Sequence, residues 1–105
     1  MSTHQQLLYH IIFSTKNRQR SLIDGFRDEV FAYMTGVAKN QGGFVIRVGG
    51  FYDHVHLLVR IPAKLCVSDF VGALKSNSSK HINETSELLR MFGWQDGFGA
   101  FTVSV

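Results

Sequence analysis

The stretch Gly50-Phe51-Tyr52-Asp53-His54-Val55-His56-Leu57-Leu58-Val59-Arg60 decides the fold of this chain. After the Gly49-Gly50 pair the polarity alternates. Strand side chains repeat with a period of two, so Val55, Leu57 and Val59 share one face and His54, His56, Leu58 and Arg60 the other. Two imidazoles at i and i+2 project together, close enough to hold one divalent ion, with a carboxylate or amide to complete the site. A His-x-His alone is also what a half-buried strand shows on its solvated side.

On either side of this strand the chain alternates between strand and helix patterns. Leu7 to Thr15 is apolar and β-branched and reads as a buried strand, running into a loop that carries Lys16, Arg18 and Arg20. From Asp24, a plausible N-cap, Phe26, Val30, Tyr33, Met34, Val37 and Ala38 recur at three- and four-residue steps. They predict a helix of about four turns that stops at Gly42-Gly43. Phe44, Val45, Ile46 and Val48 form a short strand, which Gly49-Gly50 turns into the His-x-His strand as a hairpin. Pro62 ends the second arm.

Ser68 is the expected N-cap of a second helix, with Phe70, Val71, Leu74 and Ile82 along its apolar side. Its polar side carries Lys75, Ser76, Asn77, Ser79 and Lys80. Ser and Asn compete for backbone hydrogen bonds in a helix, so this composition suggests a face kept for a partner. Thr85 to Phe92 fits either a last helical turn or a loop. Gly93 to Gly99 is loop, and Ala100 to Val105 alternates as a final strand with Phe101, Val103 and Val105 on one face.

The resulting order, β-α-β-β-α-β, is the α+β ferredoxin-like sandwich: an antiparallel sheet with two helices on one face. Its first and third strands are central neighbours, which brings His10 near His54 and His56. This topology hosts many functions and does not choose among them.

Composition sets further bounds. A length of 105 residues means one domain, and 45% apolar residues with nine phenylalanines can furnish its core. No apolar run approaches the ~20 residues of a membrane span. The polar N-terminus (Ser2-Thr3-His4-Gln5-Gln6) lacks a signal-peptide pattern, and the single Cys66 fits a reducing cytoplasm. The net charge of +3 permits a polyanionic partner without demanding one.

Asp53-His54-Val55-His56-Leu57-Leu58-Val59 resembles the His-hydrophobic-His ("HUH") motif of the single-tyrosine transposases, small insertion-sequence proteins that include the REP-associated tyrosine transposases. Tyr9 to Arg18 resembles their opening strand and basic loop, and Lys75-Ser76-Asn77-Ser78-Ser79-Lys80 their Lys-Ser-x-Ser-Ser helix motif. Phe92 to Ser104 resembles their Trp-Gln-x-Gly-Tyr-Gly-Ala-Phe-Ser-Val-Ser segment. Four motifs in the right order cover nearly the whole chain.

The resemblance implies metal-dependent (Mg2+ or Mn2+) cleavage and rejoining of single-stranded hairpin DNA by a homodimer in a prokaryotic cytoplasm. His54 and His56 would hold the ion, and Lys16, Arg18, Lys75, Ser76 and Ser79 would contact DNA. A tyrosine would form a 5′-phosphotyrosine that conserves the bond energy for rejoining. In the family that tyrosine lies on a helix after the final strand, often with a further metal ligand. Here Phe98 replaces a non-nucleophilic tyrosine of the motif, and the only tyrosines are Tyr9, Tyr33 and Tyr52. Tyr9 and the core-facing Tyr33 read as structural. Tyr52 shares a strand face with the histidines, where in-line attack on phosphorus is geometrically barred. The expectation is therefore a transposase domain, residues 1–105, that lacks its C-terminal catalytic helix, binds DNA and metal, and does not cleave. Losing that helix should also expose an apolar sheet face and favour dimerisation. The competing classes are a non-catalytic nucleic-acid-binding module of the same fold and a dimeric small-molecule binder; the four motifs disfavour the second.

Overall fold

The computed structural model describes residues 6–86 and 89–103. Strand β1 (Gln6–Ser14) leads through a short 3-10 turn (Lys16–Arg18) to helix α1 (Phe26–Asn40). The hairpin β2 (Phe44–Gly50) and β3 (His54–Pro62) follows, then helix α2 (Val67–Thr85) and strand β4 (Gly99–Thr102). The sheet order is β2-β3-β1-β4, with every pairing antiparallel. This is the ferredoxin-like α+β sandwich that the sequence predicts, with β1 and β3 in the centre.

Burial follows the alternation. Val55, Leu57, Val59 and Ile61 of β3 and Ile11 and Phe13 of β1 are buried. They form one core with Val30, Met34 and Ala38 of α1 and Phe70, Val71, Leu74 and Ile82 of α2. Residues opposite one another in the ladder share a face. The pairs Ile12–His56, His10–Leu58, Leu58–Arg47 and His10–Phe101 therefore lie on the other face, away from the helices. That face is half-buried to exposed. It corrects the reading of Leu7 to Thr15 as wholly buried: only Ile11, Phe13 and Thr15 are, because among the described residues one face of β1 has no covering layer.

Several boundaries differ from the sequence reading. Gly49 and Gly50 belong to β2, opposite His56 and Val55, and the turn is Phe51-Tyr52-Asp53. Asp24 does not cap α1. The N-cap is Gly25, at φ 83°, and the Asp24 carboxylate accepts from Arg27 Nη2 at 2.9 Å and the Tyr52 hydroxyl at 3.4 Å. Ser68 lies inside α2, whose N-cap is Cys66, with the thiol and the Ser68 hydroxyl 3.0 Å apart. The stop at Gly42-Gly43 holds: Gly42 adopts φ 88°, and the Gly43 amide donates to the Ala38 carbonyl at 2.9 Å. Tyr33 faces α2 and stacks on His81, with ring centres 4.0 Å apart and planes 10° from parallel. The final strand ends at Thr102, although the Val103 amide still donates to Leu8 O at 2.8 Å. Val105 lies outside the described residues. No helix among the described residues is long and apolar enough to cross a membrane.

Candidate functional site

Strand alternation puts His54 and His56 together on the open face, at the end of β3 nearest the hairpin turn. Their ring centres are 6.2 Å apart with planes 26° from parallel. His10, on the neighbouring strand, meets His56 edge-on at 5.8 Å, as the topology predicts. Imidazoles sharing an ion through nitrogens about 2.1 Å from it would have ring centres about 4.5–5.3 Å apart, so the two rings would have to draw together to chelate. Among the described residues no group of three or more His, Cys, Asp or Glu side chains is placed to hold a metal ion. The pair amounts to two candidate nitrogen donors.

Two neighbours shape this pair. Asp53 places Oδ1 3.0 Å from His54 Nδ1, while its Oδ2 accepts from Arg18 Nε at 3.2 Å. The His54 hydrogen bond, reinforced by Arg18, holds the Asp53 carboxyl below its ordinary range. An ionised carboxylate only accepts, so this contact favours a proton on Nδ1 of His54. Gly49 stands opposite His56, and a Cβ there would come within 2.9 Å of His56 Cε1. Glycine at this position leaves room for the ring. Burial first, then the nearby His10 and His54, lower the His56 pKa and favour the neutral form that binds metal. Arg47, opposite Leu58, joins His10, His56, Leu58 and Val103 around a shallow concavity of ≈ 240 Å³.

The basic loop closes the same end of the sheet. The buried Thr15 donates its amide to the Asp53 carbonyl at 2.9 Å and its hydroxyl to Gln19 O at 2.6 Å. Asn17 and Arg18 both adopt left-handed backbone, at φ 57° and 56°. Lys16 N donates to Gly93 O at 2.9 Å and Asn17 N to Gln95 Oε1 at 3.1 Å, tying this loop to the segment before β4.

Lys75 meets that segment from α2. Its ammonium donates to the Gln95 and Gly97 carbonyls at 2.6 and 2.8 Å, and partial burial lowers its pKa. Lys16, Arg18 and Lys75 are therefore drawn towards one end of the fold, but Lys75 holds a loop and Arg18 holds Asp53. Ser76 is exposed, and Ser79, partly exposed, donates to its carbonyl at 3.1 Å.

The serine between them turns inward. Ser78 is fully buried, donates to Leu74 O at 2.6 Å and accepts from Trp94 Nε1 at 2.9 Å. Trp94 packs edge-to-face against Phe13 and Phe92, each at 4.9 Å. Part of the serine-rich motif thus anchors the segment before β4.

None of the tyrosines stands at the histidines. Tyr9 pairs with Val59 and packs against the core, and Tyr33 stacks on His81. Tyr52 sits in the turn rather than on the strand, beneath the Arg20 and Arg27 guanidiniums at 4.5 and 5.2 Å, with its hydroxyl directed to Asp24.

With this geometry in view, the family described as IS200-like transposases matches residues 3–105. The chain belongs to the IS200-like transposase family. It is 32% identical over 76 residues to the transposase for insertion sequence element IS200 of Salmonella typhimurium, covering 72% of this chain and 50% of that protein. It is 34% identical over 77 residues to the ISDra2 transposase TnpA of Deinococcus radiodurans, covering 73% of this chain and 55% of the relative. The chain thus spans about half the length of the curated relatives it matches.

Among solved structures, a crystallised Deinococcus radiodurans protein assigned as a transposase superposes with a TM-score of 0.84 at 27% identity, over 95% of this chain and 81% of that one. A REP-associated tyrosine transposase, solved bound to a REP hairpin, superposes with a TM-score of 0.71 over 100% of this chain and 61% of that one. At 11% identity this second likeness shows a shared fold alone.

Sequence reasoning found the histidine pair but missed Asp53, Gly49 and Arg47. Asp53 stands beside His54 in the motif, and nothing in the sequence assigns its carboxylate a partner. Its role depends on a three-residue turn that the sequence reading placed at the glycines. Arg47 reaches the open face because a bulge between Val45 and Arg47 shifts the β2 register by one residue.

Proposed function

We propose that this chain is the metal- and DNA-binding part of a transposase that cleaves and rejoins single-stranded hairpin DNA through a 5′-phosphotyrosine link. One observation carries the reading: His54 and His56 share the open face of a family member's sheet, their ring centres 6.2 Å apart. These residues fit a divalent ion (Mg2+ or Mn2+) as two of its ligands. When bound, such an ion supplies Lewis-acid stabilisation of charge developing on phosphoryl oxygens.

The chain's own residues bind and orient. Lys16 and the exposed edge of Arg18 lie at the His54 end of the sheet, suited to phosphates of an incoming strand, with Ser76 and Ser79 as further contacts on α2. Arg47 adds a cation beside His10 and His56. Membership of the transposase family supports DNA as the ligand, and its hairpin form is part of the proposal. Tyr9, Tyr33 and Tyr52 are each engaged elsewhere, so residues 1–105 act as one domain that binds DNA and metal without supplying the nucleophile. Phe44 and Phe101, 59% and 60% exposed, flank the open face and support a homodimer.

The test is fluorescence anisotropy of a labelled single-stranded DNA hairpin against a linear duplex of the same sequence, with and without Mn2+. Two salt concentrations expose the phosphate contribution, since affinity falls as salt rises. The expected result is hairpin preference strengthened by Mn2+ in the wild type and not in a His54→Ala/His56→Ala variant. Hairpin preference indifferent to both metal and histidines would instead identify a non-catalytic binding module. No preference for the hairpin would overturn the proposal.

A further inference from the structure

Asp53 is held more firmly than a turn residue requires. Its carbonyl accepts from the Thr15 amide at 2.9 Å, and Thr15 is fully buried. Its carboxylate is shared between Arg18 Nε and His54 Nδ1. The loop that delivers Arg18 passes through two consecutive left-handed residues, Asn17 and Arg18. Asn tolerates this region, whereas an arginine held there is strained, and such strain persists where the surroundings enforce it. Here Gly93 and Gln95 do so through their bonds to Lys16 and Asn17.

We propose that Asp53, braced by Arg18, is a positioning residue that fixes His54 as its Nδ1–H tautomer and so presents Nε2 for metal. The inference rests on the metal-binding reading above and gives Arg18 a role beyond DNA contact. A carboxylate behind a ligating imidazole sets its orientation and raises its basicity, and loss of such a partner typically weakens metal binding 10–100-fold. Thr15 and Arg18 both belong to the segment that follows β1. That segment therefore reaches the histidine through Asp53: Thr15 fixes the backbone of the turn, and Arg18 fixes the carboxylate.

The experiment combines two readouts on the whole chain at pH about 8, where an ordinary imidazole is neutral. Nitrogen-15 NMR of histidine-labelled protein reports the His54 tautomer, and Mn2+ titration followed by electron paramagnetic resonance reports affinity. In the wild type His54 is expected as Nδ1–H. Asp53→Ala should give a mixture of tautomers and lower Mn2+ affinity by roughly tenfold or more. Asp53→Asn, which keeps an acceptor oxygen, should restore the tautomer and part of the affinity. Arg18→Ala should lower affinity less than Asp53→Ala, with the tautomer largely kept.

An Asp53→Ala chain that folds with the wild-type tautomer and Mn2+ affinity would overturn the proposal. If Asp53→Ala does not fold, Asp53→Asn decides: Nδ1–H retained supports the proposal, and the opposite tautomer refutes it. If the wild type binds no Mn2+, the metal reading fails. The tautomer change on Asp53→Ala then still decides whether Asp53 sets the ring.

Discussion

The two faces of the central strands are made from alternate residues of the same sequence yet follow different rules. On the covered face Val55, Leu57, Val59, Ile11 and Phe13 meet two helices, and all are essentially inaccessible to solvent. On the open face His54, His56 and His10 are only partly covered and Arg47 is exposed, and the histidines' partners are a carboxylate or single rings. The covered face tolerates little change in volume, because a close-packed core responds to each methylene. The open face tolerates change until orientation or space around an imidazole is touched. Stability and site geometry should therefore respond to different substitutions.

The largest effect is expected on the covered side. Trp94→Ala removes the ring between Phe13 and Phe92 and leaves the buried Ser78 hydroxyl without its donor. Chemical denaturation should show a loss of about 3–5 kcal/mol. Ser78→Ala, which strands only the indole N–H, should lose about 1–3 kcal/mol. A Trp94→Ala loss below that of Ser78→Ala would break the distinction, since it would place Trp94 outside the core.

Gly49→Ala sharpens the comparison from the open side. Its Cβ meets only the His56 ring, a movable side chain, so stability should change little. Mn2+ affinity should nevertheless fall roughly tenfold, as for loss of an outer-shell constraint. Equal losses in stability and in metal binding would show that the faces are not separable in this way.

The smallest effect is in pH. The folded His56 pKa lies below that of the unfolded chain, so between the two values the unfolded state binds more protons and stability rises with pH. Thermal melts should therefore show a small loss as pH falls from about 6.5 through the folded value. His56→Gln should flatten that part of the profile. A stability gain on acidification through this window, traceable to His56, would reverse the sign.

Much of this contrast was legible in the residues. The alternation through Val55 to Val59 gave the faces of β3, and the strand–helix order gave the sheet topology and the approach of His10. Other features were hidden for identifiable reasons. Asp24 and Ser68 looked like caps because their side chains accept hydrogen bonds, but a nearby arginine and a cysteine thiol engage them instead. Lys75 looked like a free cation because helix periodicity places it on the polar side. Only tertiary folding brings the Gln95 and Gly97 carbonyls to it. Ser78 is buried by Trp94, 16 residues away, which no local pattern announces.

The central claim is that the open face binds a divalent ion through His54 and His56. Its most direct test is pulsed electron paramagnetic resonance of the Mn2+-loaded chain with nitrogen-15-labelled histidine. Coupling to two imidazole nitrogens is expected, reduced to one by either His54→Ala or His56→Ala and abolished in the double variant. Mn2+ bound with no histidine coupling, or with coupling that survives the double substitution, would contradict it.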